Sequence, residues 1–347
     1  MGFGNVLKAE LYKLTKAKSL IKVLISIVII FVIASLIYSF IYNNEEVKEI
    51  LNQYNEASQK VVKIDEETVK AAEKEYEEYV QNMEGEKANQ KLLDSQPYEK
   101  KATATLYKYL YENDIDVNSV NLFGSTGPST TNGYVQFILN WMVIVMVIYS
   151  MVCIIRSVAG ERNNGALKMQ LLRPVSKDAM LFAKLLAVLI VSIALFIFIC
   201  ILTAIVGIIA YSFDAKPVLV VFNATSVHQI GAASELIIDV IYYCGLIIAY
   251  TVLALFCATM IKKAEGLSLA LVIVVYLIGA SIENLLGYIY IGYAGFNINM
   301  SWISTLSVSG PSMNYMNFYS MVGIMCAYVA LMLTASVFKF RYTEIHN

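Results

Sequence analysis

The side chains able to do chemistry gather in one polar stretch, residues 159–178, set between two long apolar runs. Glu161, Arg162, Lys168, Arg173, Lys177 and Asp178 lie there, a charge set suited to docking another surface rather than to bond-making. Catalytic patterns are missing elsewhere. There is no G-x-x-x-x-G-K-[ST] phosphate loop, and Gly2 and Gly4 lack the third glycine of G-x-G-x-x-G and precede no strand. His228 and His346 are the only histidines, so neither a Ser/His/Asp set nor a histidine-rich metal site can be composed. Cys153, Cys200, Cys244, Cys257 and Cys326 all sit in apolar runs without C-x-x-C spacing and read as buried free thiols. The chain is expected to be no enzyme, to hold no metal and to bind no cofactor of its own.

A second group of candidates lies at the margins of the apolar runs. Glu235 and Asp239 stand one helical turn apart and could bind a cation or line a vestibule, or simply face water at a helix end. Glu283 breaks an apolar run and carries the same ambiguity, while Asn140 suits an interhelical hydrogen bond. These acids are too few and too near the run ends to compose a proton relay.

The elements that position these residues follow from composition. At 347 residues, 58% hydrophobic and only 15% charged, with a mean hydropathy of +0.61, the chain has more apolar surface than a soluble core can hide. The net charge of −1 conceals a partition: residues 43–133 hold 18 Asp/Glu against 10 Lys/Arg, whereas the remainder holds 16 Lys/Arg against 9 Asp/Glu. An acidic block and a basic remainder belong on opposite sides of a membrane.

The expected fold is an all-α polytopic membrane protein with six transmembrane helices and both termini cytoplasmic. Residues 1–19 place Phe3, Val6, Leu7, Leu11 and Leu14 at helical spacing with lysines between them, an amphipathic helix in the headgroup region. The first span, 20–42, lacks a small-x-small exit and reads as retained. Residues 43–133 are a large extracellular helical block, either a sensing cap or a solvated spacer. The remaining spans are 134–155, 180–212, 236–261, 267–282 and 318–338. They are joined by a cytoplasmic loop (156–179), an extracellular loop (213–235), a cytoplasmic turn (262–266) and a re-entrant or extracellular segment (283–317), and a cytoplasmic tail (339–347) ends the chain. The fifth run is short for a full span, and the triplet from Asn223 to Thr225 is a chance glycosylation sequon. Of the 16 basic residues outside the acidic block, this topology leaves only Lys216 outside.

Within the cytoplasmic loop, Gly160 and Gly165 bracket a polar turn, and residues 166–172 can form a short helix with Leu167, Leu171 and Leu172 on one side. Pro174 ends it, because proline disfavours helical geometry at Arg173 and lacks an N–H. Ser176 is then placed to cap the next helix.

This loop resembles the one between the second and third spans of ABC-2 type (exporter) permeases of ABC transporters. There a Glu is followed by Gly-Thr-Leu, a leucine pair, Pro-Val-Ser-Arg and Gly-Lys. The matching residues are Glu161, Gly165 to Leu167, Leu171 and Leu172, Pro174 to Lys177, and Ala183 with Lys184; Ala166 and Ala183 replace Thr and Gly. The whole plan is similar too, except for the long external block. The resemblance implies a permease dimer, of two copies or with a sister chain, bound to two cytoplasmic ATPase subunits that use ATP and magnesium. The 166–172 helix would be the coupling helix, its leucines seated in the ATPase and Glu161, Arg162 and Arg173 orienting it. The expected activity is efflux of a drug, lipid or antimicrobial peptide across a bacterial plasma membrane, with no nucleic acid partner. A non-transporting signalling subunit is the alternative; a secondary transporter is disfavoured because inverted repeats are lacking.

Overall fold

A computed structural model of the chain describes residues 2–43, 64–83, 96–122, 130–165, 175–211, 216–222, 225–261, 266, 269–270 and 318–342. Four helices among them are long and apolar enough to cross a membrane, over Ile21–Ile41, Thr131–Asn163, Lys177–Ala210 and Ala232–Met260.

The chain begins with α1 (Phe3–Thr15), breaks at Lys16, where ψ turns to 121°, and continues as α2 (Ala17–Asn43). The bundle is built round α5 (Thr131–Ile155), which α2, α6 (Lys177–Ala210) and α7 (Ala232–Met260) all touch. Thr130 starts α5 by accepting the Gly133 N–H at 3.1 Å, so an orphan donor of the first turn is satisfied. Ile138, Met142, Val143, Met146 and Val147 of α5 are fully buried. Against it α2 lays a single stripe, Ile27, Phe31, Ala34 and Tyr38, while Ile25, Ile29, Val32, Leu36 and Phe40 point outward. An outward apolar face of that size suits lipid or another subunit and not water. The 34-residue α6 is about 51 Å long at 1.5 Å per residue, more than a bilayer core requires. A further helix, α8 (Phe318–Tyr342), packs on α7 and α6. The sixth expected span falls on α8. The fifth run at 267–282, apart from residues 269–270, and the segment 283–317 with Glu283 lie outside the described residues.

At the α2–α5–α6 corner distant from α1, four aromatic rings close the bundle. Tyr38 meets Tyr134 edge-on at 5.2 Å and Tyr211 at 5.3 Å, Phe137 lies 5.1 Å from Tyr38, and Tyr134 stacks on Tyr211 at 5.1 Å. Beyond this corner stands a small mixed domain: α3 (Glu66–Met83), α4 (Gln96–Glu112), a 3₁₀ turn (Val117–Ser119), β1 (Asn121–Leu122), β2 (Val218–Phe222) and β3 (Ser226–Ile230). The strand order is β1-β2-β3. β1 runs parallel to β2 with Asn121 opposite Val218, and the β2–β3 hairpin is antiparallel with Val220 opposite His228.

The all-α expectation is therefore corrected: the fold is mostly helical with a three-stranded sheet. The sheet also joins the acidic block to the 213–235 segment, since Leu219 and Val221 pack with Ile64, Val69, Leu106, Leu110 and Val120. Val218 and Val220, on the other face of β2, pack with Ala232 at the start of α7. With both faces buried, β2 shows no polar–apolar alternation, and its five apolar residues after Pro217 carry no strand-specific signal.

Candidate functional site

The polar loop leaves α5 through an unusual exit. After Ile155 the helix widens into one π turn, Arg156–Gly160, and closes with one α turn, Glu161–Asn163. Such a widening shifts every later side chain round the axis, and π turns recur at functional positions. Val158, Ala159 and Gly160 are buried, so the wide turn is packed into the bundle. Gly165 then takes φ +72°, a left-handed conformation that ends the helix, and its N–H donates to the Arg162 carbonyl at 3.2 Å.

The exit turns Glu161 toward two lysines. Lys184 Nζ donates to Glu161 Oε2 at 2.5 Å, to Glu10 Oε1 at 3.2 Å and to Ser157 Oγ at 3.4 Å. Lys13 Nζ donates to Glu161 Oε1 and to Glu10 Oε1, both at 2.9 Å. Two carboxylates and two ammonium groups thus alternate round a closed, net-neutral cluster. The Lys184 side chain is wholly buried and that of Glu10 is 7% exposed. Burial draws the Lys13 ammonium down, but its hydrogen bonds to Glu161 and Glu10 and their charges outweigh that and raise it above its ordinary value. Each charge in such a setting has to be matched, since an unpaired one would cost several kcal/mol.

The other contacts at the loop's ends tie it to the last helices. Arg162 Nη1 donates to the carbonyl of Ile261, the C-cap of α7, at 3.5 Å. On the return side Ser176 caps α6 by accepting the Ala179 N–H at 3.3 Å. Asp178 in the first turn pairs with Arg341, and Lys177 Nζ donates to the Arg341 carbonyl at 3.0 Å, so the start of α6 is bound to the end of α8. The loop is clamped at both ends, on one side by α1 and α7 and on the other by α8.

Glu161, Arg162 and Gly165 therefore stand at the exit side of this frame and Ser176 at its return side. Leu167, Leu171, Leu172, Arg173 and Pro174 lie outside the described residues. Asn140, Glu235 and Asp239 sit elsewhere, near the sheet. Glu235 in the first turn of α7 is about 40 Å from Ile261 along the helix at 1.5 Å per residue. Asn140 accepts the Tyr243 hydroxyl at 2.5 Å, and Asp239 accepts the Gln136 amide at 3.2 Å. Glu235 and Asp239 are buried inside the chain instead of facing water at a helix end.

Glu10 and Lys13 were not candidates on sequence grounds. Their signal was present, because Glu10 is the sole acidic residue among the first 44, set in an otherwise basic helix. Lys184 matched a motif position, but nothing in its neighbours along the chain announced two carboxylates. The pocket of roughly 540 Å³ between α3, α4 and β3, lined by Glu73, Tyr76, Lys108 and Ser226, is far from this frame.

A comparison with curated proteins finds no significant match. A family model described as ABC-2 family transporter protein matches residues 4–342, nearly the whole chain, and so includes α1, the clamped loop and every long apolar helix. The chain belongs to the ABC-2 transporter family, whose members are membrane permeases that work with an ATPase partner and are not themselves catalytic.

Proposed function

We propose that this chain is the permease subunit of an ATP-driven exporter, and that the clamped loop is its handle. In this reading the α1 end of the bundle is cytoplasmic, and residues 166–172 form a coupling helix seated in a separate ATPase that binds ATP and magnesium. Two ATPase subunits act on a pair of permeases, with lipid and the second permease sharing the outward apolar faces of α2 and α6. ATPase closure moves the loop, and the loop moves whatever is rigidly attached to it. The observation that carries the reading is the Glu10–Lys13–Glu161–Lys184 cluster. It makes α1, the end of α5 and the start of α6 one body, so a push on the loop is transmitted to two spans and to the interfacial helix rather than dissipated in a flexible turn. Efflux of a drug, lipid or antimicrobial peptide is the activity proposed.

The test is co-purification and ATPase stimulation with the cognate ATPase. Leu171→Asp with Leu172→Asp is expected to detach the ATPase without preventing membrane insertion. Unchanged association in that variant overturns the handle.

A second reading, a signalling subunit that moves no substrate, is favoured by one observation: the small domain is assembled from two separated segments, 64–122 and 216–230, around one apolar core. That construction suits a surface meant to hold its shape. Substitutions on the exposed faces of α3 and α4 that leave efflux intact but abolish a downstream response would favour it. Deleting residues 46–116 is a blunter test, because it strips Ile64, Val69, Leu106 and Leu110 from the core beside Leu219 and Val221.

A further inference from the structure

The α5–α7 seam near the sheet carries polar side chains in register. Gln136 bonds Asp239 and Asn140 bonds Tyr243, each pair separated by 103 positions. Both helices run from the sheet toward the α1 end, where Arg162 meets Ile261 at a separation of 99 positions, so the two stay side by side with a drift of about one turn. One turn nearer the sheet the same register sets Asn132 opposite Glu235. The flank of α5 that meets α6 is a different one, since Thr131 Oγ1 donates to the Gly207 carbonyl of α6 at 3.2 Å. The sheet roofs this end of the seam through Val218, Val220 and Ala232.

Asn132 and Glu235 have no exposed surface and Asp239 has 5%. Neither the amide oxygen nor the amide nitrogen of Asn132 has a hydrogen-bond partner among the described residues. A buried amide with nothing to bond costs about 1–3 kcal/mol, and two buried carboxylates one helical turn apart repel each other. A bound cation gives the amide oxygen a partner and offsets the repulsion between the two carboxylates.

We propose that this end of the α5–α7 seam is a site for a small hard divalent cation, with Glu235 and Asp239 as carboxylate ligands and the Asn132 amide oxygen as a third. All-oxygen donors select calcium or magnesium over thiophilic metals, and the two negative charges match a divalent ion. Among the described residues no three His, Cys, Asp or Glu side chains are placed to hold a metal, so the amide oxygen is an essential part of the set. A bound ion ties α5 to α7 directly beneath the sheet and sets how firmly the small domain stands on the bundle. The site is independent of the ATPase reading.

The test uses the full chain in lipid nanodiscs with radioactive calcium in equilibrium dialysis, magnesium and sodium serving as competitors. One saturable site per chain is expected, together with a calcium-dependent rise in Tm. Asn132→Ala should weaken binding by about 10-fold or more, and Asn132→Asp should tighten it. Glu235→Gln with Asp239→Asn should abolish both binding and the Tm response. If that double variant does not fold, the two Asn132 variants decide alone, through the opposite directions of their affinity changes. Absence of saturable calcium or magnesium uptake into the millimolar range overturns the proposal. Uptake unchanged in the Asn132 variants overturns it as well.

Discussion

Lys184 Nζ lies 2.5 Å from Glu161 Oε2, 23 positions away across most of the polar loop, and the lysine side chain is entirely buried. A contact of this kind is weak evidence for stability by itself, because desolvation offsets much of the attraction. An ammonium buried there tolerates one arrangement of Glu10, Glu161 and Ser157 and is costly in any other.

Removing one partner should therefore hurt more than removing two. Lys184→Met is expected to destabilise the bundle by on the order of 3 kcal/mol, because Glu10 and Glu161 lose the buried one of the two cations they share and keep only Lys13. Lys184→Met combined with Glu161→Gln should recover a large part of that loss. Thermal unfolding of the four species of the double-mutant cycle measures it, and additive losses would show that the two side chains are not coupled.

The attachment of α1 should be flat with pH across the physiological range. Lys13 is raised above its ordinary value of 10.5 because the hydrogen bonds to Glu161 and Glu10 outweigh the burial that lowers it. A group raised by folding contributes fully below its unfolded pKa and loses that contribution only as pH rises through the folded one. Hydrogen-exchange protection over Phe3–Thr15 is expected to stay constant from neutral pH to about 10. Lys13→Gln should lower it throughout that range.

The small domain should respond to acid in the opposite sense. Asp65 accepts the Thr68 hydroxyl at 2.6 Å and the Thr68 N–H at 2.8 Å, and these bonds, the side-chain one first, hold its carboxyl below the ordinary 3.8. Its support for the start of α3 is present above that ordinary value and is lost as pH falls through the folded one. Protection of the first-turn amides of α3 should fall in strong acid. Asp65→Asn keeps an N-cap oxygen without the titration and should flatten that fall.

Helix α6 passes α5 at Gly207, where a Cβ would come within 3.1 Å of Thr131 Cγ2 and of Tyr134 Cδ1. Neither neighbour is free to yield. Thr131 bonds the Gly207 carbonyl, and Tyr134 is stacked on Tyr211, edge-on to Tyr38 and bonded to Ser35 at 2.8 Å. Gly207→Ala is expected to cost about 1–3 kcal/mol, read as a lower Tm, and Gly207→Val to cost more.

Much of this protein was legible in the order of its residues. Apolar runs long enough to span a bilayer, the charge partition around them, the proline and serine that punctuate the polar loop and the leucine pair between them all depend on neighbours in the chain. Local physics is enough to read them: hydropathy, helix capping and the missing N–H of proline. Ser176 caps α6 as its place after Pro174 suggests.

Tertiary structure decided what depends on distant partners. β2 is a strand because α3 and α4 cover one of its faces and Ala232 the other, and five apolar residues cannot state that by themselves. Glu10 belongs to a buried cluster and not to a solvated helix face because Lys184, 174 positions away, arrives beside it. The loop at residues 159–178, legible from the start as a charged interruption, is a clamped one through Lys13, Lys184, Ile261 and Arg341, which the fold brings to its ends. Charge and polarity are properties of single residues, whereas their cost when buried depends on the partners that the fold brings into contact.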